Sequence, residues 1–318
     1  MLAPTDYGHG IYLIDADYLR PGFAGIYLMV EAGRVAVIET GCNASLPRVL
    51  SFLDDLGIAV GSVDYVIPTH VHLDHAGGAG AMMRAFPNAR LVIHPRGARH
   101  MADPSKLVAG AVAVYGAEQV RALYGEILPI DATRIIEATD GLTVDLAGRQ
   151  LLCLDVPGHA RHHIAIVDEK TGHIFTGDTF GVSYPDLETG GRQFVFPTIT
   201  PVQLDPPALH ASMTRLLSYQ PQAMYLTHYG KLRDIEKNAD DLRRRFDASL
   251  EIAREACGEG AERHRQILDG MRQMLITELR AAGCVLPEAR LIELLADDLE
   301  LNAQGLGIWL DNQASLAN

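Results

Sequence analysis

Cysteine is scarce in this chain. Its four copies, Cys42, Cys153, Cys257 and Cys284, lie far apart in 318 residues and include no CxxC pair. That spacing excludes a disulfide framework and a thiolate zinc site. Positive charge is also short: Lys and Arg number 27 against 40 Asp and Glu, for a formal net charge of -13. A large nucleic-acid surface is thereby excluded, because phosphates must be met by clustered Lys and Arg. The one basic run, Arg243-Arg244-Arg245, reads as a solvated helix face. No apolar run approaches the ~20 residues that cross a bilayer. Asp6 and Asp15 stand where a signal peptide needs a cationic start and an unbroken apolar stretch. These absences point to a cytoplasmic protein with a small-molecule partner, no nucleic acid and no membrane.

What remains is ordinary globular composition, 48% hydrophobic and 21% charged, in a chain long enough for one large domain and a smaller appendage. From the start to about Gly230, short apolar strands alternate with short helices. Ile11–Ile14 and Ile26–Glu31 read as strands, the second turning through Ala32-Gly33-Arg34 into Val35–Glu39 as a hairpin. Ser45 is placed to cap a helix over Leu46–Leu56, with Pro47 in its first turn and Gly57 at its end. Val63–Ile67, stopped by Pro68, reads as a buried strand. Helix Ala79–Phe86, strand Arg90–Ile93 and a helical insertion over Ser105–Tyr124 follow. Strands are then expected at 134–137, 142–145, 150–156, 163–168, 173–176 and 223–227. The texture changes after Lys231. Ile235, Ala239, Leu242, Phe246, Leu250 and Ala253 recur at helical spacing, as do Ile267, Met271, Leu275 and Leu279. A third helix over Leu291–Leu299 and a fourth around Trp309 complete an expected helical region, 233–318, beside a catalytic domain at 1–232.

Histidine is where the sequence concentrates. Thr69-His70-Val71-His72-Leu73-Asp74-His75-Ala76-Gly77-Gly78 follows the buried strand directly. Alternate residues of an extended segment point the same way, so His70 and His72 reach one ion together. A turn then carries Asp74 and His75 towards a second position. Neutral imidazole and carboxylate suit Zn²⁺ and the other borderline first-row ions. Gly77-Gly78 is expected to bend the backbone into the next helix. One histidine alone reads as an ordinary core or surface residue; four such groups at this spacing read as a metal site.

At this point the sequence resembles the metallo-β-lactamase superfamily, whose signature is THxHxDH followed by small residues. Pro157-Gly158-His159, Thr176-Gly177-Asp178-Thr179 and Thr227-His228 match that family's later elements, in its order and each at an expected strand end. The resemblance implies an α/β fold, an αββα sandwich of two mixed β-sheets packed between helices. It implies that His70, His72 and His159 ligate one metal, Asp74, His75 and His228 a second, with Asp178 bridging. Two divalent ions are implied, zinc ahead of iron or manganese. Hydroxide held by the pair then attacks a carbonyl or phosphorus centre, with Asp74 orienting the nucleophile and moving its proton.

The motif pattern is closest to the glyoxalase II-like hydrolases, which implies hydrolysis of a small ester, thioester or lactone. The alternative is a di-iron oxygen-binding or redox protein, or an iron persulfide dioxygenase. His72 counts against the di-iron form, where the family tends to carry Glu. Phosphodiester cleavage is disfavoured by net charge, and a purely binding role by the full ligand set. Glu39-Thr40-Gly41 departs from the family's usual Asp-Thr-Gly, by one methylene. Cys42 next to it reads either as facing the site or as a small core residue. His163 is expected to support the fold. Arg161, Tyr184 and Phe194 are the expected substrate contacts, with His162, Phe196, Tyr115 and Tyr124 open to either a pocket or a packing role. The C-terminal helices are a candidate homodimer surface.

Overall fold

The computed structural model describes residues 2–199 and 201–317, less the side chains of Tyr115, Leu316 and Ala317. The first sheet runs β1 (Thr5–Asp6), β2 (Ile11–Asp15), β3 (Gly25–Glu31), β4 (Arg34–Ile38), β5 (Val63–Ile67), β6 (Arg90–Ile93), β7 (Ile135–Glu137) in spatial order. It is antiparallel through β4 and parallel from β4 to β7. The second contains β8 (Thr143–Leu146), β9 (Arg149–Asp155), β10 (Ile164–Asp168), β11 (His173–Gly177), β12 (Ala223–Leu226) and β13 (Gly230–Leu232), in the order β13-β12-β11-β10-β9-β8. Both sheets are mixed, since β11 pairs with β12 in parallel and with β10 antiparallel. The β3–β4 hairpin turns on Ala32 and Gly33, both at positive φ, the conformation whose twist matches paired strands.

Period-two alternation builds the core. Ile11, Leu13, Tyr27, Met29, Ala36 and Ile38 of the first sheet share one apolar cluster with Leu151, Cys153, Ile164, Ile166, Phe175 and Tyr225 of the second. The alternate residues Ile26, Leu28, Val35, Val37, Ala165 and Val167 are buried as well. Strands apolar on both faces need cover on both, which is the αββα sandwich. Helices α1 (Leu46–Asp55), α2 (Leu73–Ala76), α3 (Ala79–Ala85), α4 (Pro95–Ala102), α5 (Ser105–Tyr115) and α6 (Ala117–Tyr124) connect the first sheet's strands, with α3 against β5 and β6. One compact unit, Met1–Val156, His162–Gly177 and Tyr219–Lys231, holds these elements.

The other unit comprises Pro157–Arg161, Asp178–Ser218 and Leu232–Asn318. It contains α7 (Pro206–Ser218), α8 (Ile235–Glu255), α9 (Gly260–Ala281) and α10 (Glu288–Ala317). The expected third and fourth C-terminal helices are one, α10. Gly305 and Gly307 suggest a break, but no proline interrupts the run, and Leu291, Leu295, Leu299, Ala303 and Leu306 keep one buried stripe across it. Arg245 corrects the basic run: it points inward, its guanidinium 3.9 Å over the Phe194 ring, bonded to Glu278 and to the Val195 carbonyl. Only Arg243 and Arg244 keep the solvated role.

One local expectation fails, one holds in finer form, and two helices were missed. Ser45 does not cap α1, because a 3-10 turn over Asn43–Ser45 already places it in helical conformation; its hydroxyl donates instead to the Ala16 carbonyl at 2.6 Å. The helical insertion is two helices, α5 and α6, parted by Gly116 at φ +83. Helices α4 and α7 were not expected, although His94-Pro95 and Asp205-Pro206 are start signals. Among the described residues no helix is long and apolar enough to cross a membrane.

Candidate metal centre

Strand β5 delivers the motif. His70 follows it in a bend, His72 is extended at φ -61, ψ 148, and the single turn of α2 then carries Asp74 and His75. Gly77 and Gly78 both adopt right-handed helical conformations, so their freedom at positive φ is unused. What matters is their missing Cβ. At Gly78 it would meet the Thr40 carbonyl oxygen at 2.6 Å and that of Cys42 at 2.7 Å. The motif loop packs directly on the turn after β4, and Gly78 N–H donates to the Gly41 carbonyl at 2.9 Å.

That turn holds the group that organises the loop. Glu39 is buried, 1% exposed, at φ +65, a conformation costing a non-glycine residue about 1–2 kcal/mol. Its Oε1 accepts from Thr69 Oγ1 at 2.6 Å, His75 Nδ1 at 3.0 Å and Thr227 Oγ1 at 2.8 Å, and its Oε2 from Thr69 N–H at 3.1 Å. The extra methylene relative to Asp therefore does not disconnect this carboxylate.

The hydrogen bonds fix which nitrogen of each ring carries the proton. His228 Nδ1 lies 2.8 Å from the Phe23 carbonyl and His159 Nδ1 3.1 Å from the Thr198 carbonyl. Carbonyls only accept, so both nitrogens carry the proton. His75 Nδ1 donates to Glu39. The Thr69 hydroxyl spends its proton on Glu39, so at 3.1 Å it accepts from His70 Nδ1. In the neutral form of all four rings the lone pair is then on Nε2. A metal-binding histidine whose other nitrogen is held by carboxylate, hydroxyl or carbonyl has this arrangement.

These lone pairs converge. His70, His72, His159 and Asp178 form one group and Asp74, His75 and His228 another, the ligand atoms within each lying within 4.8 Å of one another. His75 Nε2 and His228 Nε2 face each other at 3.3 Å, with Asp74 Oδ2 at 3.5 and 3.4 Å from them. Two buried lone pairs at that distance repel unless a positive charge lies between them. His159 Nε2 sits 3.3 Å from Asp178 Oδ2. The His70 and His75 rings are 4.0 Å apart, centre to centre, so the two groups adjoin. Nitrogen and carboxylate donors without thiolate, aimed at two neighbouring points, fit a pair of divalent cations.

The remaining expected residues divide. His163, fully buried, stacks 4.8 Å from the His70 ring, and His162 meets His72 edge-on at 5.7 Å. Arg161 is exposed, its N–H bonded to Gln203. Tyr184 and Phe194 are buried, the first donating to Asp298 at 3.0 Å and the second beneath Arg245. Phe196 packs edge-on against Tyr184. Tyr124 is buried, its hydroxyl 2.7 Å from that of Tyr18, and the Tyr115 side chain lies outside the described residues. Cys42 is buried against Ser45 and belongs to neither ligand group. Phe23 was not expected. Its carbonyl holds His228 and its ring lies 5.2 Å from the same imidazole; Pro21-Gly22, a turn beside it, was the available signal. His94, just after β6, lies 3.5 Å from Asp155, and burial lowers its pKa against that carboxylate's opposing pull.

Residues 19–259 match the metallo-beta-lactamase superfamily, well over half of the chain. The protein belongs to that superfamily. A metallo-beta-lactamase fold-containing protein of Sulfurisphaera tokodaii is 27% identical over 226 residues, spanning 70% of this chain and 78% of that relative. A hydroxyacylglutathione hydrolase of Synechococcus is 31% identical over 160 residues, 48% of this chain and 48% of its own. Acyl-coenzyme A thioesterase MBLAC2 of Homo sapiens is 27% identical over 195 residues, 55% of this chain and 65% of its own. Among solved structures, an archaeal superfamily protein from Sulfolobus tokodaii superposes with a TM-score of 0.67 at 23% identity, covering 94% of this chain and 98% of that one. A family protein from Thermus thermophilus gives 0.63 at 21% identity, covering 96% and 94%. Both share the fold.

Proposed function

We propose that this superfamily member is a hydrolase of a small ester, thioester or lactone, dependent on two divalent cations, zinc ahead of iron or manganese. The observation that carries the reading is the convergence of Nε2 atoms whose partner nitrogens are already committed to Glu39, Thr69, Phe23 and Thr198. His70, His72, His159 and Asp178 would hold one cation and Asp74, His75 and His228 the other. Two bound cations supply an activated water and polarise the carbonyl oxygen under attack. No serine or cysteine nucleophile is then required. Asp74 is 23% exposed at its side chain while His75 is sealed and His228 nearly so, so Asp74 can orient a water and take its proton. The hydroxyacylglutathione hydrolase and acyl-coenzyme A thioesterase relatives support a thioester as the first substrate to try.

The test is metal analysis of protein purified without added ions, followed by thioester, lactone and phosphodiester panels. The expected result is two metal equivalents and ester-type hydrolysis, lost on chelation and restored by one particular ion. Metal-free protein inert on every panel would overturn the reading. Coloured, iron-loaded protein with an oxygen-dependent spectrum would replace it with redox chemistry on the same fold.

A further inference from the structure

We propose that Asn302, on the C-terminal helix α10, is a positioning residue for His159. The inference rests on the metal-centre reading above. Asn302 is 1% exposed. Its Oδ1 accepts the N–H of Ile199 at 2.6 Å and its Nδ2 donates to the Pro197 carbonyl at 3.0 Å. The residue between these two anchors is Thr198, whose carbonyl receives the His159 Nδ1 proton at 3.1 Å.

The geometry of the peptide unit makes this more than local packing. The Thr198 carbonyl and the Ile199 N–H belong to one planar trans unit, in which C=O and N–H point in opposite directions. Holding the N–H on one edge therefore aims the carbonyl on the other. The second bond, to Pro197, prevents the neighbouring unit from rotating and carrying the first with it. Asp298, one helical turn earlier on the same face, takes the Tyr184 hydroxyl at 3.0 Å. Two polar residues of α10 thus fasten both ends of the segment 184–199, which contains the acceptor for His159. With that acceptor fixed, the imidazole keeps its proton on Nδ1 and presents the Nε2 lone pair towards Asp178. With the acceptor rotated away, the ring loses its reason to prefer that tautomer or that orientation.

The experiment compares wild type with Asn302→Leu, Asn302→Asp and Leu306→Ala. The last removes apolar bulk from a buried position of the same helix and serves as a destabilised control. Zinc stoichiometry and affinity are measured by competition with a chromophoric chelator. The His159 tautomer is read from long-range ¹H–¹⁵N spectra of metal-free protein. Asn302→Leu is expected to weaken one of two zinc equivalents by roughly 10–100-fold and to mix the His159 tautomers. Leu306→Ala should lower the melting temperature and leave both readouts at wild-type values. Asn302→Asp retains the acceptor but not the donor, so it should weaken the same equivalent by less; it carries the test should the Leu variant not fold. Wild-type zinc binding together with an unmixed Nδ1–H tautomer in the Asn302 variants would overturn the inference. Wild type that binds none of zinc, iron and manganese overturns the metal reading instead, while the tautomer comparison still decides the role of Asn302.

Discussion

Glu39 Oε1 lies 3.0 Å from His75 Nδ1 and takes the hydroxyls of Thr69 and Thr227 on the same oxygen. One carboxylate oxygen thereby orients a candidate ligand directly, a second (His70) through Thr69, and anchors the residue before a third (His228). Four donors converge on its two oxygens, whereas an amide offers one carbonyl oxygen and two N–H groups that find no acceptor there. Glu39→Gln is therefore expected to weaken metal binding at both candidate positions by roughly 10–100-fold. Chelator competition checks it, and two tightly bound equivalents in a folded Gln variant would contradict the account.

The candidate ligands were legible because their pattern is local. His70 through His75 occupy six consecutive positions, and the later His159, Asp178 and His228 each follow an apolar run that reads as a strand. The strands were legible for the same reason, since alternation is written within five to seven residues. What was not legible depends on contacts between distant segments. Glu39 looked like a departure from a family turn until Thr69 and Thr227 appeared around it. Asn302 carries no sequence signal at all: in a helix of 30 residues an asparagine is unremarkable until Pro197 and Ile199 are found on either side of its amide. Tyr184 and Phe194 invited a pocket reading because they sit in a proline- and glycine-rich stretch, and only the positions of Asp298 and Arg245 show what they pack against.

Arg149 and Asp168 provide a stability test away from the metals. Both side chains are fully buried, and the guanidinium engages the carboxylate through Nε at 3.0 Å and Nη2 at 2.5 Å. The arginine holds the Asp168 carboxyl below its ordinary range despite burial. Arg149→Met leaves that charge in the interior without its partner, which costs about 3–5 kcal/mol. Urea unfolding should show the loss, and a variant within 1 kcal/mol of wild type (about the value of an exposed pair) would mean the pair is solvated.

Acid sensitivity should arise partly from His173. Burial, then the Lys231 charge, lowers its pKa below the ordinary value of about 6.5. The unfolded chain therefore binds this proton at a higher pH than the folded one, and stability falls as pH falls through that interval. The contribution is complete above about pH 6.5 and declines below it. His173→Gln, compared at fixed metal loading, should lose less stability than wild type on going from neutral to mildly acidic buffer. Parallel pH profiles for the two proteins would remove His173 from the explanation.

Gly177 separates backbone strain from steric demand at the centre itself. Its φ is +50, and an added Cβ would lie 2.5 Å from His163 Nε2 and 2.6 Å from Thr69 Oγ1. His163 stacks on His70, and Thr69 connects that imidazole to Glu39. A methyl group here must displace one of them or move Asp178, the next residue. Gly141 is the matched comparison, at φ +82 with nothing within 4 Å of a Cβ. Gly141→Ala meets only the left-handed penalty of about 1–2 kcal/mol and should keep full metal content. Gly177→Ala adds overpacking of about 1–3 kcal/mol and should also lose metal affinity. If both variants fall equally in melting temperature and both retain their metal, the crowding at Gly177 is relieved without disturbing His70, and the packing described for His163 is looser than these distances imply.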